Sequence, residues 1–262
     1  MAKALALNGA AKVYIIGRRQ EVLESASRSV PTNNIIPIVG DVTSQSSLDQ
    51  VVSKIAVETG YINLLVANAG IAGPGPKIPA SEIKSVADLQ RAFGVGQQGS
   101  ESPTGIEEYV NTFTVNTAAV WHTIVSFLGL LDEGNKKVNV EQRSQVIATS
   151  SIGGFTKKPV AGYAYGQTKA ATTQMMKQLA AALAPFGIRV NVLAPGFFLS
   201  DMISPLVGGG NFTRDQLPLE RVGSDEDMAG CILFMASKAG AYCSGNVMVI
   251  DGGRLSVMPS TY

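Results

Sequence analysis

The sequence predicts an α/β fold: a doubly wound parallel sheet held between two helical layers, three layers in all. Three observations predict it. Short β-branched runs alternate with helical stretches from one end of the chain to the other. Polar or glycine-bearing turns such as Asp41-Val42, Asn68-Ala69-Gly70 and Pro195-Gly196 stand directly after those runs, where a strand hands over to a loop. No internal repeat and no linker divides the chain, so 1–262 reads as a single domain.

Taken in order, Ala2–Leu7 has the small, leucine-rich composition of a helix, and Asn8-Gly9 is its stop. Residues 13–16 form a short buried strand that ends in Gly17-Arg18-Arg19. A helix at 20–27, a strand at Ile35–Val39, a helix at 47–58 and a strand at 62–67 follow. Residues 71–105 carry Pro74, Pro76, Pro79, Pro103 and several glycines, and read as a surface insertion with one helix near 87–93. A long helix at 106–131, a strand at Gln145–Thr149, a helix at 166–184 and a strand at 188–193 come next. Residues 196–222 are a second excursion, placed after a strand end where α/β folds bind ligands. A helix at Asp225–Ala236 and a strand at Val247–Ile250 complete the pattern.

Composition narrows the function classes. Hydrophobic residues at 45% with 16% charged describe a globular protein with a sizeable core. A net charge of +1 supplies no bulk field to recruit nucleic acid or an anionic membrane. No apolar run reads as a membrane span and the N-terminus lacks a signal-peptide core, so a cytoplasmic location is expected. Cys231 and Cys243 have no metal-ligand spacing and read as a reduced pair. His122 is the only histidine; beside Trp121 it reads as a packing or interface residue, which leaves a serine–histidine hydrolase and a metal centre without support.

Gly94-Val-Gly96-Gln-Gln-Gly99 matches the spacing of a dinucleotide fingerprint but fails on context, because a helix precedes it and no helix start follows. Tyr165-Gly-Gln-Thr-Lys169 is more informative. It sets a phenol and an ammonium four residues apart, on one helix face. A cation a few Å away favours the phenolate and is expected to lower the tyrosine pKa toward neutrality. Such a pair arises easily by chance and could be a solvated helix face. Its company changes that: Ser150-Ser151 follows the strand Gln145–Thr149 at its carboxyl end, and Asn116 sits inside the long helix.

In this order these residues resemble the short-chain dehydrogenase/reductase family, from about residue 1 to Gly253, including Asn191 to Gly196 and Ile250-Asp251-Gly252-Gly253. The resemblance implies a Rossmann-like fold and a nicotinamide-dependent carbonyl reductase. It makes Tyr165 the proton donor and Ser151 the group that holds the substrate oxygen. Lys169 would tune the phenol and bind the nicotinamide ribose, and Asn116 would hold a water of the proton relay. Asp41, Val42, Asn68, Ala69, Gly70, Pro195, Gly196, Phe198 and Ser200 join the cofactor-binding set, with Ser200 where the family often has threonine. Arg18 stands at the end of the second family strand, where an acidic residue would accept bonds from a ribose 2′-hydroxyl. A guanidinium there suits a 2′-phosphate, so NADP(H) is expected.

The family also places a strand and a glycine-rich phosphate loop in front of a helix like Ala2–Leu7, and this sequence begins at that helix. The family sheet runs 3-2-1-4-5-6-7, so the central first strand is expected to be missing. The strands at 13–16 and 62–67 must then slide together or leave unpaired edges. An incomplete chain of an ordinary reductase is the preferred reading; a short form that binds cofactor weakly and a non-catalytic assembly protein are the others. The 71–105 insertion and Ser144–Ser151 look like fungal members that resemble 3-oxoacyl reductases and reductases of secondary-metabolite pathways, so a polyketide-like or acyl ketone is the expected substrate. Non-redox chemistry on the same site, such as dehydration or epimerisation, is a more distant alternative. The long helices at 106–131 and 166–184 form the family's dimer interface, so a homodimer or homotetramer is expected.

Overall fold

The structure, a computed structural model, describes residues 1–76, 78, 80–93, 105–159, 161–200 and 212–262. The Gly94–Gly99 fingerprint lies outside the described residues. Helix α1 (Ala2–Leu7) ends where Asn8 leaves helical geometry and Gly9 adopts φ +94°. Strand β1 (Val13–Gly17), helix α2 (Gln20–Arg28), strand β2 (Ile35–Val39) and helix α3 (Gln45–Glu58, capped by the Ser44 side chain) follow. Strand β3 (Leu64–Ala67) starts two residues later than expected, because the Ile62 N–H is spent on the Leu130 carbonyl. Helix α4 (Val86–Ala92) is the helix expected in the insertion.

The long helix is interrupted. Helix α5 (Ile106–Phe113) passes through a π turn (Thr114–Ala118) into α6 (Ala119–Lys137). The whole stretch Ile106–Lys137 is long and apolar enough to cross a membrane by length and composition, against the expectation that no such run exists. Its Val120, Ile124, Phe127, Leu130 and Leu131, at helical spacing, are instead buried in the protein core. Strand β4 (Gln145–Thr149), helix α7 (Tyr163–Leu183), strand β5 (Arg189–Pro195), helix α8 (Asp225–Ala236), strand β6 (Val247–Ile250) and the short α9 (Arg254–Val257) complete the chain.

Among the described residues the six strands pair in parallel throughout, but they form two sheets. One is β1–β2, with Val13 opposite Ile35; the other is β3–β4–β5–β6, with Leu64 opposite Gln145 and Gln145 opposite Arg189. Among the described residues β1 and β3 are not paired with each other, and each pairs on one side alone, with β2 and β4 respectively. One continuous core nevertheless serves both sheets. Leu48, Val51 and Ile55 of α3 cluster with Ile38, Leu65 and Ala67, and Tyr14 and Ile16 pack against them. On the opposite face Ala4 of α1 joins the cluster around Leu64 and Val66, while Ala6 joins Val13, Ile15 and Ile35.

The carboxyl ends of the strands carry the candidate residues. At the amino ends, a buried polar group pins β4 to β5. Arg189 Nη1 donates to Gln145 Oε1 at 2.7 Å and to the Gly240 and Cys243 carbonyls at 3.0 Å each.

Candidate active site

Ser150 and Ser151 leave the carboxyl end of β4 and are fastened to α7. The buried Ser150 hydroxyl bonds the Lys169 carbonyl at 2.9 Å and the Thr173 hydroxyl at 2.7 Å. Ser151 accepts the Gly153 N–H at 3.0 Å and points toward the Pro195 carbonyl, 3.5 Å away. Gly154 lets helix α7 come this near, since a Cβ there would lie 2.8 Å from the Ala170 nitrogen.

Helix α7 presents Tyr165 and Lys169 one turn apart on its inner face. They are 9% and 3% exposed, so this is not a solvated surface pair. Lys169 Nζ lies 5.7 Å from the centre of the Tyr165 ring and donates to the Thr149 carbonyl at 2.9 Å. Burial brings its pKa down to about 8. Tyr165 departs from the sequence expectation. Burial pushes its pKa up, and a hydrogen bond with the Ser151 hydroxyl opposes that shift without reversing it. The ammonium is engaged by a backbone carbonyl rather than the phenol oxygen, so desolvation wins over charge attraction.

Asn116 occupies the π turn and is fully buried. Such turns displace a side chain from the regular helical row and gather at functional sites. The amide clamps Ile71 from both sides: Oδ1 accepts the Ile71 N–H at 2.8 Å, and Nδ2 donates to the Ile71 carbonyl at 2.9 Å. Nδ2 also reaches Thr168 Oγ1 at 3.1 Å, and the Asn116 carbonyl accepts from Thr172 at 2.7 Å. This clamp holds the segment after β3 against the site. A side chain at Gly70 would meet both Asn116 Oδ1 and Lys169 Nζ at 3.3 Å, and Asn68 accepts from Thr149 Oγ1 at 2.9 Å. Ser151, Tyr165, Lys169, Asn116, Asn68 and Gly70 therefore form one cluster, with Ala69 exposed between the last two.

Pro195 ends β5, and Gly196 passes so close to Asp251 that a Cβ would lie 2.7 Å from its Cα. Phe198 bridges to Gly223, and Ser200 is exposed at the start of the second excursion. Arg18, Asp41 and Val42 stand on the other sheet, just past the ends of β1 and β2. Hydrogen bonds from Thr43 hold the Asp41 carboxyl below its ordinary value, with a smaller contribution from the Arg18 charge.

These residues fit parts of a dinucleotide. The Lys169 ammonium and Tyr165 phenol suit a ribose and nicotinamide beside the open backbone at Gly70, and the exposed Arg18 suits a phosphate. Among the described residues no strand delivers a glycine loop to a helix N-terminus, the arrangement that cradles a pyrophosphate. Sequence reasoning named Ser150 without a role and overlooked Thr149, Thr168 and Thr172. The last two were accessible, because they continue the Tyr165–Lys169 stripe at helical spacing.

The family model described as short chain dehydrogenase matches residues 1–207. The short-chain dehydrogenase/reductase PhomF′ of Diaporthe leptostromiformis is 49% identical over 267 residues, covering 99% of this chain and 88% of its own. A rhamnolipids biosynthesis 3-oxoacyl-[acyl-carrier-protein] reductase of Pseudomonas aeruginosa is 28% identical over 251 residues, covering 94% of this chain and 88% of its own. Among solved structures, the Pseudomonas aeruginosa RhlG/NADP active-site complex superposes with a TM-score of 0.77 at 27% identity, over 96% of this chain and 89% of its own.

Proposed function

The chain belongs to the short-chain dehydrogenase/reductase family of oxidoreductases, and on that premise we propose that it reduces a ketone to a secondary alcohol with NADPH. The observation that carries this reading is the meeting of half-buried Ser151 with the buried Tyr165 and Lys169 at the carboxyl end of β4. A bound nicotinamide supplies the hydride. Everything else falls to the chain. The Ser151 hydroxyl donates a hydrogen bond to the substrate oxygen, and Tyr165, kept protonated at neutral pH by burial, gives that oxygen its proton. Lys169 holds the ribose hydroxyls and recharges the phenol through Asn116 and water. Pro195, Gly196, Phe198 and Ser200 flank the nicotinamide, Asp41, Val42 and Asn68 to Gly70 border the rest of the cofactor, and Arg18 holds the 2′-phosphate. A 3-oxoacyl or polyketide-type ketone is the substrate, in keeping with the 3-oxoacyl reductase among the relatives.

The continuous core beneath both sheets supports reading 1–262 as one domain, with 71–105 and 196–222 as its excursions. Exposed Ile106, Val110, Trp121 and Val125 on α5–α6, with Tyr163 on α7, support a homodimer or homotetramer. A non-catalytic binding or assembly role is the alternative reading.

Titrating the purified chain with NADPH while following nicotinamide fluorescence separates the two. Saturable binding, followed by loss of NADPH absorbance with a 3-oxoacyl thioester, is expected. No binding at millimolar cofactor leaves the assembly role. Tyr165→Phe is expected to lower kcat by roughly 10²–10⁴-fold with NADPH affinity little changed.

A further inference from the structure

We propose that Thr261 and Tyr262 are positioning residues for the Ser151 hydroxyl, because they fasten the turn that carries it. The role of Ser151 rests on the reductase reading above; the contact itself does not. The segment Met258–Tyr262 runs antiparallel to the chain that leaves the serine turn, with Thr156 bridged to Ser260. The Lys157 N–H donates to the Pro259 carbonyl and the Thr261 N–H to the Phe155 carbonyl, at 2.8 Å each. Thr261 Oγ1 reaches the same carbonyl at 3.2 Å, and the rings of Phe155 and Tyr262 meet edge to face, 5.2 Å apart.

Ser151 and Phe155 belong to one hydrogen-bonded turn. The Ser151 hydroxyl accepts from Gly153, the Gly154 N–H bonds the Ser151 carbonyl at 3.1 Å, and Phe155 and Thr156 both donate to the Ile152 carbonyl. Against α7 this turn is packed tightly. A Cβ on Gly153 would lie 3.2 Å from the Tyr165 ring, and one on Gly166 would lie 2.9 Å from the Gly153 carbonyl oxygen. Such contacts limit how near the turn comes to Tyr165, but repulsion does not hold it there. Directional bonds do. The Ser150 hydroxyl fastens the turn at its start, on the Lys169 carbonyl, and Met258–Tyr262 fastens it at its end. Ser151 sits between the two anchors, whereas Lys157 to Pro159 beyond them are exposed.

The second anchor is itself held. Asp251 accepts from the Gly253 and Leu255 N–H groups at 2.9 and 2.8 Å, and the Leu255 side chain is buried. Arg254 lies 4.4 Å from the centre of the Phe197 ring, and its Nη1 donates to the Gln216 carbonyl at 2.7 Å. The Met258 N–H returns to the Arg254 carbonyl at 3.1 Å. One short stretch thus ties the serine turn to Phe197 and Gln216, in the excursion that follows β5. Tyr262 is 66% exposed, so its loss leaves the core intact. Lys169, Gly70 and Arg18 stand on other elements, so releasing the tie displaces the serine hydroxyl and spares the cofactor groups. A misplacement of about 1 Å costs on the order of 10²-fold in rate.

The test compares kcat, NADPH affinity and amide exchange in variants of the full chain. Thr261→Pro removes the donor N–H and Tyr262→Ala removes the ring. Each is expected to lower kcat with a 3-oxoacyl thioester by about tenfold or more, with the NADPH Kd within about twofold of the parent. Exchange at Gly153, whose N–H bonds the Ser151 hydroxyl, is expected to quicken by about tenfold. Tyr262→Phe keeps the ring and is expected to match the parent in all three measurements. Parental kcat in both of the first two variants overturns the proposal, and so does NADPH affinity that falls in step with kcat. If the parent itself turns over no ketone, the reductase reading fails on its own. Quicker Gly153 exchange in Thr261→Pro then still supports the tie to the serine turn, and unchanged exchange overturns it.

Discussion

Lys169 shows how one buried group carries both a cost and a role. Burial takes its pKa from 10.5 to about 8, and the Thr149 carbonyl at 2.9 Å and the Tyr165 ring 5.7 Å away relieve part of that cost. Below pH 8 the amine is charged in the folded and the unfolded chain, and folding bears the full burial cost. Between pH 8 and 10.5 the folded chain releases the proton while the unfolded chain keeps it, so stability rises with pH. The cost corresponds to at most about 3 kcal/mol. Lys169→Met is therefore expected to melt higher than the parent at pH 7, with the difference shrinking by pH 10, and to lose reductase activity at both. Thermal melts at the two pH values check it, and an equal difference at both would show that the lysine is not held at a cost. For the parent, kcat/KM for ketone reduction is expected to fall as pH rises past about 8, when Lys169 loses its charge.

At the level of elements, the π turn at Thr114–Ala118 does what an unbroken helix could not. It turns Asn116 inward to clamp Ile71, which fixes the chain that leaves β3 beside the Tyr165 cluster. Asn116→Ala leaves a half-buried N–H and C=O without partners. It is expected to cost about 1–3 kcal/mol in urea denaturation and to lower kcat, with wild-type behaviour in both measurements counting against the clamp. Helix α6 has its own contact point, since a Cβ on Gly134 would overlap the Ile62 carbonyl oxygen. Alanine usually gains about 1 kcal/mol over glycine inside a helix, but displacing α6 from the start of β3 costs roughly 1–3 kcal/mol. Gly134→Ala is thus expected to lower Tm, and a higher Tm would mean that α6 shifts freely.

Across the whole molecule, one core holds together a sheet that its hydrogen bonds do not. Helix α3 carries that burden, because Leu48, Val51 and Ile55 face residues of both sheets. Ile55→Ala is expected to cost about 2–5 kcal/mol and to speed amide exchange in β2 and β3 together. Faster exchange in β2 alone would mean that the sheets unfold as separate units.

The sequence by itself determined the order and direction of the elements. Periodicity and turn residues are local, so Ile35–Val39, Gln145–Thr149, Asp225–Ala236 and Val247–Ile250 were readable to the residue. It also supplied the Ser151, Tyr165 and Lys169 set, through the resemblance to the family that their order along the chain carries and not through spacing alone. Only the tertiary structure decided what those residues experience. The strand β3 was shortened by a hydrogen bond that Ile62 donates to a helix far along the chain, and the long helix was broken by a turn no propensity announces. The phenol moved away from neutrality because burial, a property of the assembled fold, outweighed a charge the sequence placed nearby. At β1 and β3 the sequence left two outcomes open, sliding together or unpaired edges, and the packed structure decided for separate sheets among the described residues.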